Sequence, residues 1–386
     1  MSGGRKRAQP PGPSTDPAPL QSQAPQDRYL FCARKDGVGA RLANLLWTWR
    51  LAQRADLRTL CFWPQMARVH GLSAGFRDLF DPVGLATEPV GQELKVVDGS
   101  PQDFIRAQIV NLEKRPEVRA TELAATIQEA RASGSFACVI DSGVPFLEPG
   151  EDEETALQEV RTLFARLPLN RIVRASVKAA DKKHPLAGLI AVHVRRGDIV
   201  KTLRTACREF TPAELEPGSR LDTYTAHFVR CCPPTDAYFR LIREYRARRW
   251  KVLFFSDSPE AAEPFVRTFG DTIVVARDLA PEGLTQIQQA LLELILMSRC
   301  RAVVGAKSMF SRVAGMLQKP RFIDARRHAE PAEFMGAYKQ ALRFGGQAAE
   351  VQAAAEEVLV RHLQRHRFDA LWNADEAEMR RLFREA

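Results

Sequence analysis

The chain has 386 residues, of which 45% are hydrophobic and 27% charged, an ordinary globular composition with room for two domains at about 100 to 200 residues each. Its net charge of +9, from 56 Lys plus Arg against 47 Asp plus Glu, is carried mainly by arginine, which favours bidentate recognition of phosphate. No nucleic-acid module and no basic repeat interleaved with aromatics is visible, so an anionic small ligand is expected and a nucleic-acid partner is not.

Residues 1–27 hold Arg5-Lys6-Arg7 and a tract rich in Pro, Gln, Ser and Ala without the apolar centre of a signal peptide; a disordered tail is expected. Residues 28–33 read as a first strand. Arg34 to Arg41 then contain Gly37-x-Gly39 and lead into an apolar helix over about 42–55. Strand, glycine loop and helix make a ligand-facing turn, although two glycines alone fit a plain tight turn equally well. Residues 57–63 give a second strand and 137–140 a later one ending in Asp141-Ser142-Gly143, while 64–136 follow no clear pattern. The acidic run 151–154 opens a helix over about 155–167, where carboxylates favour the N-terminal dipole. A basic helical segment follows over 169–183.

Leu189-Ile190-Ala191-Val192 reads as a buried parallel strand, and His193-Val194-Arg195-Arg196-Gly197-Asp198 follows it directly. Open α/β sheets bind ligands at the carboxyl ends of their strands. Asp198 alone cannot neutralise both guanidiniums, so a diphosphate is the natural partner, two separately paired surface arginines being the plainer reading. Thr235 is expected to cap a helix through Arg248, 251–255 is a strand, Ser256-Asp257-Ser258-Pro259 starts a helix, and 272–276 is a strand. Then come a helix over 285–298, a strand over 302–305 and a helix over 308–318. Alternation of strand and helix predicts a parallel sheet. The segment 201–234 is read as acceptor-binding loops, and 329–386 as a helical extension.

Three places therefore fall just past strand ends and line one crevice: Arg195-Arg196, Ser256-Asp257-Ser258, and Lys307-Ser308 with Ser311-Arg312. Cations and the helix start at Ser308 suit a diphosphate, and Asp257 suits base or ribose groups, while each serine also fits a plain helix cap. The chain contains no Asp-x-Asp to hold a divalent ion on a sugar nucleotide, so no metal is expected. Seven scattered cysteines without Cys-x-x-Cys point to the reducing cytoplasm. His227 with Cys231 and Cys232 only loosely has zinc-ligand spacing, Arg196-Gly197-Asp198 as an adhesion tripeptide is discounted, and no stretch approaches the roughly 20 apolar residues of a membrane span. Peripheral membrane contact stays open.

The motif His193 to Asp198, the Gly37-x-Gly39 loop with its Trp47-x-Trp49 helix, the Ser256-Asp257 turn and residues 292–317 resemble fucosyltransferases of the two-Rossmann-domain type. The first motif is similar to that of α1,2- and α1,6-fucosyltransferases, and the amino-terminal unit to that of the bacterial nodulation fucosyltransferase. The resemblance covers most of 28–325 and implies an α/β, GT-B-like fold. Its two Rossmann-like domains would face a cleft, an acceptor-side domain at 28–185 and a nucleotide-sugar domain at 186–328. It further implies inverting, metal-independent transfer of L-fucose from GDP-fucose to an oligosaccharide or glycolipid hydroxyl. By the same resemblance Arg195 binds the β-phosphate and Arg196 holds the adjoining loop or the acceptor. His193, Asp198, Ser256, Asp257, Ser308, Ser311 and Arg312 are donor-side candidates, with Gly37, Gly39 and Arg41 in the cleft loop. Ala40-Arg41 departs from the Asn-Gln frequent in relatives, and Val200-Lys201-Thr202-Leu203 lacks the acid of the α1,6 type. No general base is identified beyond Asp198 and Asp36 as guesses. Another nucleotide sugar on the same fold, or a catalytically silent nucleotide- or sugar-binding protein, are the alternatives.

Overall fold

The computed structural model describes residues 29–32, 34, 37–54, 58–63, 75–81, 94–97, 137–140, 147, 150–208, 216–306, 308–318, 320–343 and 349–365. The tail 1–27, Asp36, residues 141–143, Lys307 and the C-terminal part of 329–386 beyond residue 365 lie outside the described residues.

A first parallel sheet contains β1 (Tyr29–Cys32), β2 (Arg58–Phe62), β3 (Leu94–Val97) and β4 (Ala137–Ile140), in the order β3-β2-β1-β4. The helix between its first two strands is α1 (Val38–Arg54). It begins four residues before the expected position, so Gly39 and Arg41 belong to its first turn and not to a loop. The helices α2 (Glu153–Ala165) and α3 (Arg171–Lys183) follow. Each starts where a side chain satisfies an orphan amide: Asp152 accepts from the Thr155 amide at 2.8 Å, and Asn170 from that of Ile172 at 2.9 Å.

The second sheet is also parallel, with β5 (Ile190–Val194), β6 (Val252–Ser256), β7 (Ile273–Val275), β8 (Ala302–Gly305) and β9 (Arg321–Asp324) in the order β7-β6-β5-β8-β9. Its helices are α4 (Gly197–Arg208), α5 (Arg220–Cys231), α6 (Thr235–Ala247), α7 (Glu263–Phe269), α8 (Gln286–Arg299) and α9 (Met309–Gln318), followed by α10 (Pro331–Leu342) and α11 (Ala349–Arg365). Three expectations are corrected. Pro234 occupies the N-cap with no side-chain cap bond and Thr235 is the first residue of α6, the ring-fixed φ of Pro234 leading directly into the helix. The turn at Pro259 is a single 3-10 turn, Pro259–Ala261, ahead of α7. The described part of 201–234 is mostly the helices α4 and α5, held by the Ser219 hydroxyl on the Asp222 amide at 3.1 Å.

One apolar core joins the two sheets. Leu45, Trp47 and Trp49 of α1 and Val160 of α2 cluster with Leu253 and Phe255 of β6, Leu291, Leu294 and Ile295 of α8, and Leu317 of α9. Trp47 and Trp49 are fully buried; at about 25 cal/mol per Å2 and 150–250 Å2 per large aromatic, each contributes roughly 4–6 kcal/mol before entropy. Buried Arg50 of α1 reaches Glu159 of α2 at 2.7 Å and also pairs with Glu151, neutralising a cation that could not otherwise remain inside. A separate cluster of Leu203, Leu221, Phe228, Phe334, Tyr338 and Leu359 packs α10 and α11 onto α4 and α5.

Candidate functional site

In the second sheet the chain moves from β5 outward through β6 to β7, then returns to place β8 and β9 on the other side. The strand order therefore reverses between β5 and β8, and the crevice beyond their carboxyl ends is the topological switch point. His193 and Arg195 stand at the end of β5, and Ser308 and Ser311 past the end of β8.

Arg195 follows β5 immediately and precedes α4 by one residue. Its Nε and Nη2 donate to the two carboxylate oxygens of Asp198 at 3.1 and 2.6 Å, leaving Nη1 unengaged among the described residues. Burial works against its charge, but the Asp198 carboxylate more than offsets this and raises the guanidinium pKa, so Arg195 is a permanent cation. Arg196 turns away: its Nη1 donates to the Arg195 carbonyl at 3.0 Å and its Nη2 to the Pro233 carbonyl, tying the strand end to the turn before α6.

The turn is clamped from β6. The Arg196 amide donates to Asp257 Oδ1 at 2.8 Å, and the Ser256 hydroxyl donates to the Val194 carbonyl at 2.7 Å. A Cβ on Gly197 would lie 3.1 Å from Asp257 Oδ2 and 3.2 Å from its carbonyl oxygen. Only glycine leaves this clamp undisturbed. Asp257 and Ser256 thus bind backbone in this structure, on the β6 side of β5 and away from β8.

On the β8 side, the Ser308 hydroxyl caps α9 by accepting from the Ser311 amide at 3.3 Å, and it lies 2.9 Å from Ser311 Oγ. Ser311 donates to the Ala306 carbonyl at 3.1 Å. His193 Nδ1 lies 3.4 Å from Ser311 Oγ and 3.5 Å from Ser308 Oγ, and its ring meets Phe310 at 5.4 Å between centroids. Burial, followed by the charge of Arg195, pushes the His193 pKa down to about 3, so the imidazole is neutral. A Cβ on Gly305 would come within 3.2 Å of the Ser311 side chain, so Gly305 also admits this cluster.

The two sheets meet at the same place. A Cβ on Gly39, in the first turn of α1, would be 3.3 Å from the Phe310 Cα in the first turn of α9. Two helix N-termini, one from each half, are thereby brought together beside the end of β5, each with amides free of intrahelical partners. The Gly37 carbonyl accepts from the Arg41 amide at 3.1 Å and starts α1. Arg41 is buried with its guanidinium 5.4 Å from the Trp63 ring centroid, and Arg312 is exposed on α9.

Sequence reasoning missed Phe310, Tyr238, whose hydroxyl donates to the His193 carbonyl at 3.1 Å, and His227 as a neighbour of the arginines. His227 is half-buried on α5 with its ring 6.4 Å from that of Tyr224. Its pKa is held below 6.5 by burial, then by Arg230 and Arg195, with Asp198 opposing. The helical spacing of Leu221, Thr225, Phe228 and Val229 behind a Ser219 cap was the signal that could have found α5. His227, Cys231 and Cys232 do not form a metal site: among the described residues no group of three His, Cys, Asp or Glu side chains could hold an ion. No described helix is long and apolar enough to cross a membrane.

No protein-family model and no curated protein matches the chain. Among solved structures it is similar to fucosyltransferase NodZ from Bradyrhizobium, at 19% identity and a TM-score of 0.44, over 78% of this chain and 96% of that one. It is similar to POFUT1 in complex with GDP-fucose at 12% identity and a TM-score of 0.44, over 78% of this chain and 99% of the other. NodZ α-1,6-fucosyltransferase co-crystallised with GDP gives 20% identity and a TM-score of 0.43, over 78% and 95% of the two chains. These likenesses concern the course of the chain and not its chemistry.

Proposed function

We propose that this chain is a glycosyltransferase that moves a sugar, L-fucose from GDP-fucose by the resemblance of its arginine motif, onto a hydroxyl of an oligosaccharide or glycolipid, with inversion and without a metal ion. The observation that carries the reading is Arg195: a permanent cation, held in one orientation by Asp198, at the switch point where the N-termini of α1 and α9 also meet. Fixed donors aimed at a departing diphosphate are what leaving-group stabilisation asks for, and they act strongly where water is excluded.

In this reading the half at 186–328 holds the nucleotide sugar and the half at 28–185 faces the acceptor. Arg195 spends one edge on Asp198 and offers Nη1 to the β-phosphate, while the amides opening α9 take further phosphate oxygens. Arg196 positions Arg195 through the Pro233 carbonyl. The acceptor oxygen attacks the anomeric carbon in line as the bond from that carbon to the diphosphate oxygen breaks, and the electron pair leaves with GDP. The hydroxyl proton needs a base that is in its proton-accepting form and not already engaged. Asp198 is gripped by Arg195 and His193 is sealed beneath Phe310, so the half-buried His227, neutral at pH 7, is the group that accepts it. Cys32, Cys61, Cys231, Cys232 and Cys300 are free thiols, which fits a reducing compartment such as the cytoplasm.

Calorimetric titration of GDP into the purified protein with EDTA present, against UDP and ADP, tests the reading. Micromolar binding of GDP alone supports it and opens an acceptor screen with GDP-fucose. Preference for UDP or ADP removes the fucosyl assignment, binding without turnover on any acceptor makes the protein a silent binder, and absence of all binding makes the arginine pair structural.

A further inference from the structure

The basic helix α3 serves no part of the site described above, yet its charges follow a strict pattern. Val173, Ser176, Val177 and Ala180 are buried, and at 100° per residue Arg171, Arg174, Lys178 and Lys182 fall on the opposite side, within a sector of about 80° and along about 16 Å of helix. All four are exposed, as is Lys183. None of these five has a carboxylate partner among the described residues. Some arginines elsewhere do find one: Arg161 pairs with Glu154, Arg240 with Glu333 and Arg326 with Asp324. The helix's single acid, Asp181, is occupied by the Leu186 amide at 3.1 Å.

Helix stability does not explain the pattern. Lys182 and Lys183 in the last turn suit the macrodipole, but Arg171 and Arg174 lie in the first turn, where cations oppose it and where α3 has no acid. The small Ala175 and Ala179 flank the row on one side and the exposed Asp181 on the other, and Ile172, 51% exposed, lies about 120° round the helix from the middle of the row. The exposed face is thus a row of positive charge without an aromatic residue. Single-stranded nucleic acid prefers grooves with stacking aromatics, whereas such a line fits a charged plane.

We propose that α3 docks the protein on an anionic phospholipid surface. Arg171, Arg174, Lys178 and Lys182 meet the headgroup phosphates and carboxylates. The inference is independent of the glycosyltransferase reading, because α3 contributes nothing to the arginine crevice.

The test is co-sedimentation of the full chain with phosphatidylcholine vesicles, with and without phosphatidylserine, at low and high salt. Binding is expected only with phosphatidylserine and should weaken with salt. The triple variant Arg174→Glu, Lys178→Glu, Lys182→Glu should bind at least about a hundredfold more weakly, at about fivefold per cation lost, with unchanged melting and unchanged GDP titration. Lys178→Arg with Lys182→Arg should retain binding, as should a control reversing exposed Arg243, Arg246 and Lys251. Failure of the unaltered protein to bind phosphatidylserine vesicles overturns the proposal, as does an equal loss in the control. Tighter binding to an oligonucleotide than to the vesicles, abolished by the same triple variant, assigns the face to nucleic acid and overturns it too.

Discussion

His193 on β5 and Arg195 just past its end lie two positions apart and face opposite electrostatic demands. The guanidinium keeps its charge because Asp198 supplies the counter-charge, while the imidazole gives its charge up because burial and the same guanidinium disfavour it. Replacing Arg195 by Ala should lower the proposed sugar transfer more than about a hundredfold, the scale for removing one charge-stabilising donor, with the fold intact by circular dichroism; near-normal turnover would refute the arginine mechanism. For His193 the consequence is a stability that depends on pH. Its imidazole titrates near 6.5 in the unfolded chain and at about 3 in the folded one, so between these values only the unfolded chain takes up the proton. Stability is therefore whole above about pH 6.5 and declines as pH falls toward 3. At 1.36 kcal/mol per unit, His193 accounts for about 2 kcal/mol lost between pH 7.5 and 5. Urea midpoints of His193→Asn should show a correspondingly flatter profile, with the contributions of His227 and His328, both also held below 6.5, remaining in both proteins. Equal slopes would exclude His193 as the source.

The turn from β5 into α4 is the smallest unit that has the properties of the site. Two residues separate strand from helix, the amide of one is fixed by Asp257, and Gly197 gives that carboxylate room. Gly197→Ala should displace Asp257 or the turn, and calorimetry should then show GDP binding weakened by about tenfold or more. Gly336→Ala, where a Cβ meets nothing within 4 Å, should leave binding unchanged. The elements that were legible are those with a continuous apolar run or a cap: β5, β6 and β8 among strands, α8 with its Thr285 and Gln288 capping box among helices. The edge strand β9 was not, because Arg321-Phe322-Ile323-Asp324 is half-exposed and carries no such run. The start of α1 was misplaced for a different reason. Gly37 and Gly39 read locally as loop punctuation, but Gly39 is small because α9 lies against it.

Between the two sheets lies one shared interior, since α1 and α2 from the first half share one apolar cluster with α8 and α9 from the second, while the other face of the second sheet packs a cluster of its own around Val192, Tyr238 and Phe254. Neither half can open without exposing the other's buried surface. Thermal unfolding followed by calorimetry should accordingly show one transition, with calorimetric and van't Hoff enthalpies in agreement; two resolved transitions would mean that the interface between the halves breaks first. The C-terminal helices extend this coupling to the site. His362 of α11 pairs with buried Asp222 of α5 at 2.8 Å, and Tyr338 of α10 meets Thr225 at 2.8 Å. These contacts hold the helix that carries His227.

Local information was enough for the alternation of strands and helices, the parallel sense of the sheets, and the residue types at the ends of β5, β6 and β8, because each depends on neighbours within a few positions. The partnerships were decided elsewhere. Arg195 could have been neutralised by a ligand or by Asp198; Asp257 reaches across 61 positions to the Arg196 amide, and Ser311 across 118 to His193. Which of these groups meet depends on the order in which the strands lie side by side, and that order is set by burial of the whole apolar surface, a quantity no short stretch of chain contains.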